Sequence, residues 1–171
     1  MSKAVLSIGS NVGDRLGHLR GCVAQLGEAV YAVSAVYATQ PWGGVPQDEF
    51  LNAVLLVDDP DAGAQEWLRR AQSCEAAAQR TRTLRWGPRT LDVDVIDVDQ
   101  THRDDPQLML PHPRAHQRAF VLVPWLEVAP DAVLVGHGTV ADLVAALPAE
   151  QRRGVQRRDD LTLRDSRLRS P

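Results

Sequence analysis

Apolar positions along the chain switch several times between a two-residue period and a helical one, and each switch marks an element. Lys3 to Ile8 is a short β-like run ending in Gly9-Ser10-Asn11, a turn signal. Leu16, Leu19, Val23 and Leu26 then recur at helical spacing, and Gly27 is placed to end that helix. Val30 to Tyr37 is apolar on both parities, as in a strand covered on both faces. Thr39 to Gln47, with Pro41, Gly43, Gly44 and Pro46, reads as a loop. Phe50 to Val57 is a second strong strand. One parity carries Leu51, Ala53, Leu55 and Val57; the other carries Phe50, Asn52, Val54 and Leu56. Asp59-Pro60-Asp61 has the form of a helix start, an Asp cap with Pro in the first turn. The inner stripe of that helix is Trp67, Leu68, Ala71, Cys74 and Ala78. Glu75 falls on the same stripe, an odd place for a carboxylate.

Gln79 to Pro88 reads as an arginine-rich loop, and Leu91 to Val98 as another strand. A polar stretch, Asp99 to Gln107, leads to Leu110-Pro111-His112-Pro113-Arg114. Phe120 to Val128 is apolar and helical in part, and Val140 to Leu147 is a short helix. From Pro148 onward the chain is a charged tail, in which Val155 to Leu163 is a candidate edge strand and the last residues are expected to be disordered. There is no internal repeat and no linker that demands a second domain, so residues 1–171 are expected to form one domain. The order β-α-β-β-α-β is that of the ferredoxin-like plait, an α+β fold. It implies an antiparallel sheet with helices packed on one face, the other face free for a site, and long substrate loops.

Composition narrows the function classes. The net charge of −3 supplies no global basic field for nucleic acid. Lys3 is the only lysine, which excludes a phosphate loop of the Walker A type. Any cationic work on a nucleotide must fall to arginine. No apolar run approaches the roughly 20 residues needed to span a bilayer. The first residues read as a strand and not as a signal peptide, so the cytoplasm is the expected compartment. Cys22 and Cys74 both fall in helical patterns and are expected to be reduced and packed.

The densest chemistry lies between Arg85 and Ile96. Asp92 and Asp94 alternate in a β-branched run, so both lie on one face of a strand. Their parity continues as Ile96 and Val98, turning that face from acidic to apolar. Two hard oxygen ligands suit Mg²⁺, which takes one or two carboxylates plus substrate phosphates. The alternative is a set of surface charges on an edge strand, although aspartate is disfavoured in strand interiors. Arg80, Arg82, Arg85 and Arg89 surround the stiff Gly87-Pro88 turn and offer planar forks for phosphate oxygens, or simply a solvated face. Trp86 is either a loop anchor or a stacking surface for a flat ring. Phe50 and Asn52 share a strand face, where asparagine matches the amide edge of a heterocycle and phenylalanine gives an apolar wall. His112 and His116 have neither a third ligand nor a glutamate base, which disfavours zinc. His112 in its Pro-His-Pro-Arg turn suits a phosphate contact better.

The run Arg-Trp-Gly-Pro-Arg-Thr-Leu-Asp-Val-Asp-Val-Ile resembles the signature of the 6-hydroxymethyl-7,8-dihydropterin pyrophosphokinases. The resemblance extends to Ile8-Gly9-Ser10-Asn11, Phe50-Leu51-Asn52-Ala53, Leu110-Pro111-His112-Pro113-Arg114 and Arg118-Ala119-Phe120. It implies a folate-biosynthesis enzyme. The implied reaction moves the β,γ-diphosphate of ATP to the hydroxymethyl group of the pterin and releases AMP. By that resemblance Asp92 and Asp94 hold two Mg²⁺ ions, and Arg80, Arg82 and Arg89 contact phosphates. Trp86 lines both substrates. Phe50, Asn52 and Phe120 form the pterin pocket, with Gly9, Thr39 and Trp42 as its remaining wall. Gln72, Glu75, His112 and Arg118 match nucleotide-side positions, which gives the odd Glu75 a role. Gln107 and Met109 stand where some members have arginine and threonine, so those two contacts are not carried over. The loop between Arg82 and Trp86 is one residue shorter than in some members, and the C-terminal tail matches nothing in the family.

The implied partners are small molecules, ATP and the reduced hydroxymethyl pterin, acted on by a monomer without nucleic acid or membrane. Two rivals compete with this reading. A nucleotidyltransferase would use Gly-Ser and a D-x-D pair, but here Gly9-Ser10 and Asp92 are separated by two helices and two strands. A ferredoxin-like RNA-binding module would need exposed aromatics, and the chain has two phenylalanines and two tyrosines.

Overall fold

A computed structural model describes residues 2–39, 49–79 and 90–164. The main sheet is antiparallel and is built from β1 (Ser2–Ser10), β2 (Val30–Val33), β3 (Val36–Thr39), β4 (Phe50–Asp59), β5 (Asp92–Val98) and a last strand, Val155–Arg158. β1 and β4 lie at its centre. β5 borders β1, β2 and β3 border β4, and the last strand borders β3. Helices α1 (Arg15–Leu26) and α2 (Ala64–Gln79) follow β1 and β4. This is the expected plait, and the fold is α+β.

Alternation along the central strands decides which face each helix covers. Ala4, Leu6, Ile8, Leu51, Ala53, Leu55, Val57, Val93 and Val95 pack with Leu19, Cys22, Val23 and Leu26 of α1 and Trp67, Ala71 and Cys74 of α2. Asp14 caps α1 by accepting the Gly17 N–H at 3.0 Å, and Gly27 ends it with a φ of 60°. Trp67 is fully buried, its indole N–H donating to Ser2 Oγ at 3.0 Å. Gln25 donates to Ser73 Oγ at 3.0 Å across the seam between α1 and α2. Cys22 and Cys74 are free thiols buried in the core, packed as expected.

Several expectations need correction. The second face of the sheet is not free. Helix α3 (Ala119–Val128) lies on Val5, Val54, Leu56 and Ile96, backed by α4 (Val140–Ala146). The sheet has enough apolar surface on both sides to need two covers, and on the α3 side Phe50, Asp92 and Asp94 stay half-exposed. Val30 to Tyr37 is two strands and not one. Between the pairs Val33–Leu55 and Tyr37–Asn52 one more residue lies on this strand than on β4, a bulge at Ser34–Ala35. Ser34 Oγ accepts the Val54 N–H at 2.9 Å and donates to Ala35 C=O at 2.7 Å, which holds the bulge. β4 continues to Asp59, and α2 begins only at Ala64. The Asp59 carboxylate accepts the Asp61 N–H at 2.9 Å in a local turn and pairs with Arg70 at 2.8 Å, so it does not cap the helix. Gly9 and Ser10 belong to β1 itself, and no turn forms there.

The polar stretch before Leu110 holds a hairpin, β6 (Arg103–Asp105) and β7 (Leu108–Leu110), turned at Pro106-Gln107. A second small hairpin, β8 (Val133–Leu134) and β9 (Gly138–Thr139), precedes α4, with Gly136 and Gly138 at positive φ. The charged tail is part of the fold through residue 164. It forms α5 (Ala149–Arg153) and the edge strand, now β10, which ends at Arg158. Beyond it Leu163 is buried against the α1/α2 side of the core. Arg20 Nε donates to Thr162 C=O at 2.8 Å, and Arg164 donates to Val30 C=O at 2.6 Å. Of the expected loops Thr39–Gln47 and Gln79–Pro88, the first residues belong to β3 and α2, and the rest, like the expected disorder of the last residues, lies outside the described residues. No helix among the described residues is long and apolar enough to cross a membrane.

Candidate active site

The open half of the sheet carries one cross-strand row. Tyr37 on β3 pairs with Asn52 on β4, Asn52 with Gly9 on β1, and Gly9 with Asp92 on β5. Directly paired residues point to the same face, so these four share the face on which α3 sits, with Asp92 half-exposed at the end of the row. The next row adds Ser7 and Asp94, and the next position along β5 on that face, Ile96, is buried under α3. The turn from acidic to apolar is therefore present, but it stops at Ile96. A bulge there reverses the parity, and Val98 packs on the opposite side.

Gly9 is required by its neighbour. A Cβ on it would stand 2.7 Å from Asn52 Oδ1. Asn52 is buried and donates its amide N–H to Thr39 Oγ1 at 2.9 Å. Phe50 pairs with Thr39 in the adjoining row. Gly9, Thr39, Phe50 and Asn52 thus lie side by side across β1, β3 and β4.

The acidic side is equally local. Asp92 and Asp94 are half-exposed on β5. Arg118, at the entry to α3, places a guanidinium nitrogen 3.6 Å from the Asp94 carboxylate, and its fork lies 5.4 Å from the Phe120 ring centre. The His112 N–H donates to Ile96 C=O at 2.8 Å, tying the turn before α3 to β5. His112 Nδ1 accepts the Arg114 N–H at 3.2 Å, so a neutral ring carries its proton on Nε2. Burial lowers the His112 pKa; Asp94 pulls it back up, and Arg118 and Arg114 push it down. Glu75 accepts the Val93 N–H at 3.3 Å, between the two aspartates along the strand. Its position on the α2 stripe is thereby explained by contact with β5. Gln72 is exposed on α2 and borders a groove that also includes Gln107.

Arg80, Arg82, Trp86, Arg89 and Trp42 lie outside the described residues. Sequence reasoning passed over Thr90, whose hydroxyl is buried without a hydrogen-bond partner two residues before Asp92. It also passed over Tyr37, whose place in the row follows only from strand register.

The donor set fits Mg²⁺. Among the described residues no three His, Cys, Asp or Glu side chains gather as a closed metal cage. Two half-exposed carboxylates leave most coordination positions to substrate oxygens and water, the usual arrangement for this ion.

The model of one protein family, described as 7,8-dihydro-6-hydroxymethylpterin-pyrophosphokinase (HPPK), matches residues 5–130. A Mycobacterium tuberculosis protein named 2-amino-4-hydroxy-6-hydroxymethyldihydropteridine pyrophosphokinase is 49% identical over 168 residues, covering 91% of this chain and 89% of its own. Proteins of the same name from Mycobacterium leprae and Bacillus subtilis are 50% and 39% identical, covering 96% and 73% of this chain and 92% and 77% of their own. Among solved structures, wild-type Plasmodium falciparum HPPK-DHPS with pteroate aligns with a TM-score of 0.66 at 12% identity, over 84% of this chain. That likeness concerns the fold, and this chain spans 44% of the Plasmodium chain.

Proposed function

The chain belongs to the 7,8-dihydro-6-hydroxymethylpterin-pyrophosphokinase family, and we propose that it carries out the reaction of that name on the open half of its sheet. It transfers diphosphate from ATP to the hydroxymethyl group of 6-hydroxymethyl-7,8-dihydropterin, in folate biosynthesis. The hydroxymethyl oxygen bonds to the β-phosphorus of ATP. The bond from that phosphorus to the AMP oxygen breaks, and the hydroxyl proton is lost. The single observation that carries the assignment is the row Asn52–Gly9–Asp92, which sets an amide-recognising wall beside an acidic pair.

Asn52 has one amide N–H committed to Thr39, leaving its second N–H and its Oδ1 for the amide edge of the pterin. Phe50 and Phe120 supply flat apolar walls. Asp92 and Asp94 would hold Mg²⁺. Held there, the ion would supply charge stabilisation to the transferring phosphates. Arg118 balances Asp94 and offers its remaining N–H groups to the phosphates. Neutral His112 offers Nε2–H as a further donor. By the family resemblance Gln72 and Glu75 are assigned to the nucleotide, Arg80, Arg82 and Arg89 to the phosphates, Trp42 to the pterin and Trp86 to both substrates. Catalysis here is positioning and charge stabilisation, as expected for phosphoryl-type transfer. A monomer acting on small molecules in the cytoplasm is the setting proposed for this reaction.

Incubation with ATP, Mg²⁺ and the reduced hydroxymethyl pterin tests the reading. AMP and the pterin diphosphate are the expected products. Release of pyrophosphate with a nucleotidylated product overturns it.

A further inference from the structure

One carboxylate outside the site just described joins three elements of the fold. Glu127 lies in the last turn of α3. Both of its oxygens accept the Ala35 N–H at 3.1 Å, and Oε1 also accepts the Tyr37 hydroxyl. Arg157 of β10 places a guanidinium nitrogen 3.7 Å from the same oxygen. Ala35 sits in the bulge between β2 and β3, where the sheet ladder is interrupted, so Glu127 supplies the acceptor for its N–H. Tyr37 is almost fully buried. Burial, then the hydrogen bond to Glu127, push its hydroxyl pKa up and keep it a neutral donor.

This junction connects to the wall assigned to the pterin by two routes. Tyr37 is the direct cross-strand partner of Asn52. Phe120 stands seven residues before Glu127, two helical turns, and so falls on the same face of α3 about 10 Å away along the axis. Phe120 packs against the apolar cluster under α3. Arg118, whose fork lies 5.4 Å from the Phe120 ring centre, has two further anchors of its own, Asp94 and an N–H bond to Ala115 C=O at 3.2 Å. A change at Glu127 therefore reaches Phe120 and Asn52 before it reaches the nucleotide side.

We propose that Glu127, through Tyr37, is a positioning residue for pterin recognition: it sets the seat of α3 on β3 and thereby the gap between Phe120 and Asn52. The inference rests on the substrate assignment made above. It is tested with Glu127→Ala, Glu127→Gln and Tyr37→Phe, reading melting temperature, pterin affinity by fluorescence titration without turnover, and KM for each substrate. Glu127→Ala is expected to weaken pterin binding about tenfold, while its ATP KM stays within about twofold. Glu127→Gln keeps an acceptor and is expected to remain within about threefold of wild type. Tyr37→Phe is expected to weaken pterin binding about threefold, an effect that vanishes when Glu127 is already alanine. Equal losses for both substrates, or unchanged pterin affinity in folded Tyr37→Phe, overturn the positioning role. If Glu127→Ala does not fold, Tyr37→Phe alone decides. Wild-type protein that binds no pterin overturns the substrate assignment, and this inference with it.

Discussion

Gly9 and Asn52 occupy adjacent strands so closely that position 9 has no room for a side chain, its Cβ falling 2.7 Å from the asparagine Oδ1. Asn52 is held in place by Thr39 and cannot swing aside without giving up that hydrogen bond. Gly9→Ala is expected to raise the pterin KM about tenfold or more, equivalent to about 1.4 kcal/mol. Steady-state kinetics with each substrate varied in turn checks this. An unchanged pterin KM would show that Asn52 does not read the pterin edge.

Asp94 stands half-exposed beside Arg118, a pair that adds little to stability. Asp94→Asn is expected to lower turnover at least about 10²-fold, while unfolding free energy changes by less than about 1 kcal/mol. Mg²⁺-dependent ATP binding, measured by calorimetry, should weaken in the same variant. Wild-type turnover in Asp94→Asn would remove the metal role assigned to that carboxylate.

Asp97 lies past the bulge on β5, away from the site. It is buried; one oxygen accepts the Gln100 N–H at 3.2 Å and the other has no partner. Burial raises its pKa above the ordinary carboxylate value of 3.8. With the folded-state pKa raised, the native state binds more protons than the unfolded chain, so stability falls as pH rises through that interval. Asp97→Asn keeps an acceptor for Gln100 and removes the buried charge. Its melting temperature is expected to exceed wild type at pH 7, and the gain should disappear below about pH 4. Equal melting temperatures at pH 7 would contradict this account.

The last described residues brace the sheet. β10 pairs with β3 from Val155–Thr39 to Arg158–Val36, and Leu163 fills the core. Ending the chain at Gly154 removes both. Unfolding free energy is expected to drop by on the order of 3 kcal/mol, since burial of one leucine alone contributes about 1.5–3 kcal/mol. Denaturant unfolding measures this. Because Thr39 loses its edge partner, pterin binding should weaken more than ATP binding in the same truncated chain.

Local pattern was enough for much of the molecule. The apolar spacing of Leu19, Val23 and Leu26, the alternation from Leu51 to Val57 and the stop at Gly27 are decided within a few residues, so α1, β4 and their core faces were legible. The pair Asp92 and Asp94 was legible as a one-faced acidic strand for the same reason, since strand geometry alone puts alternate residues together. Bulges were not legible. Ser34–Ala35 and Ile96 reverse parity only because neighbouring strands hold one register on each side of them. The cover on the second face was also hidden: α3 arrives from far along the chain and claims Val54 and Ile96 but leaves Asp92 and Asp94 half-exposed. Sequence by itself determined the principal helices and central strands, their apolar stripes and the residues able to do the chemistry, because those depend on neighbours in the chain. Tertiary structure alone decided which of them meet, because the contacts of Gly9 with Asn52, Arg118 with Asp94 and Glu127 with Tyr37 join strands and helices distant in sequence, and register and packing set those distances.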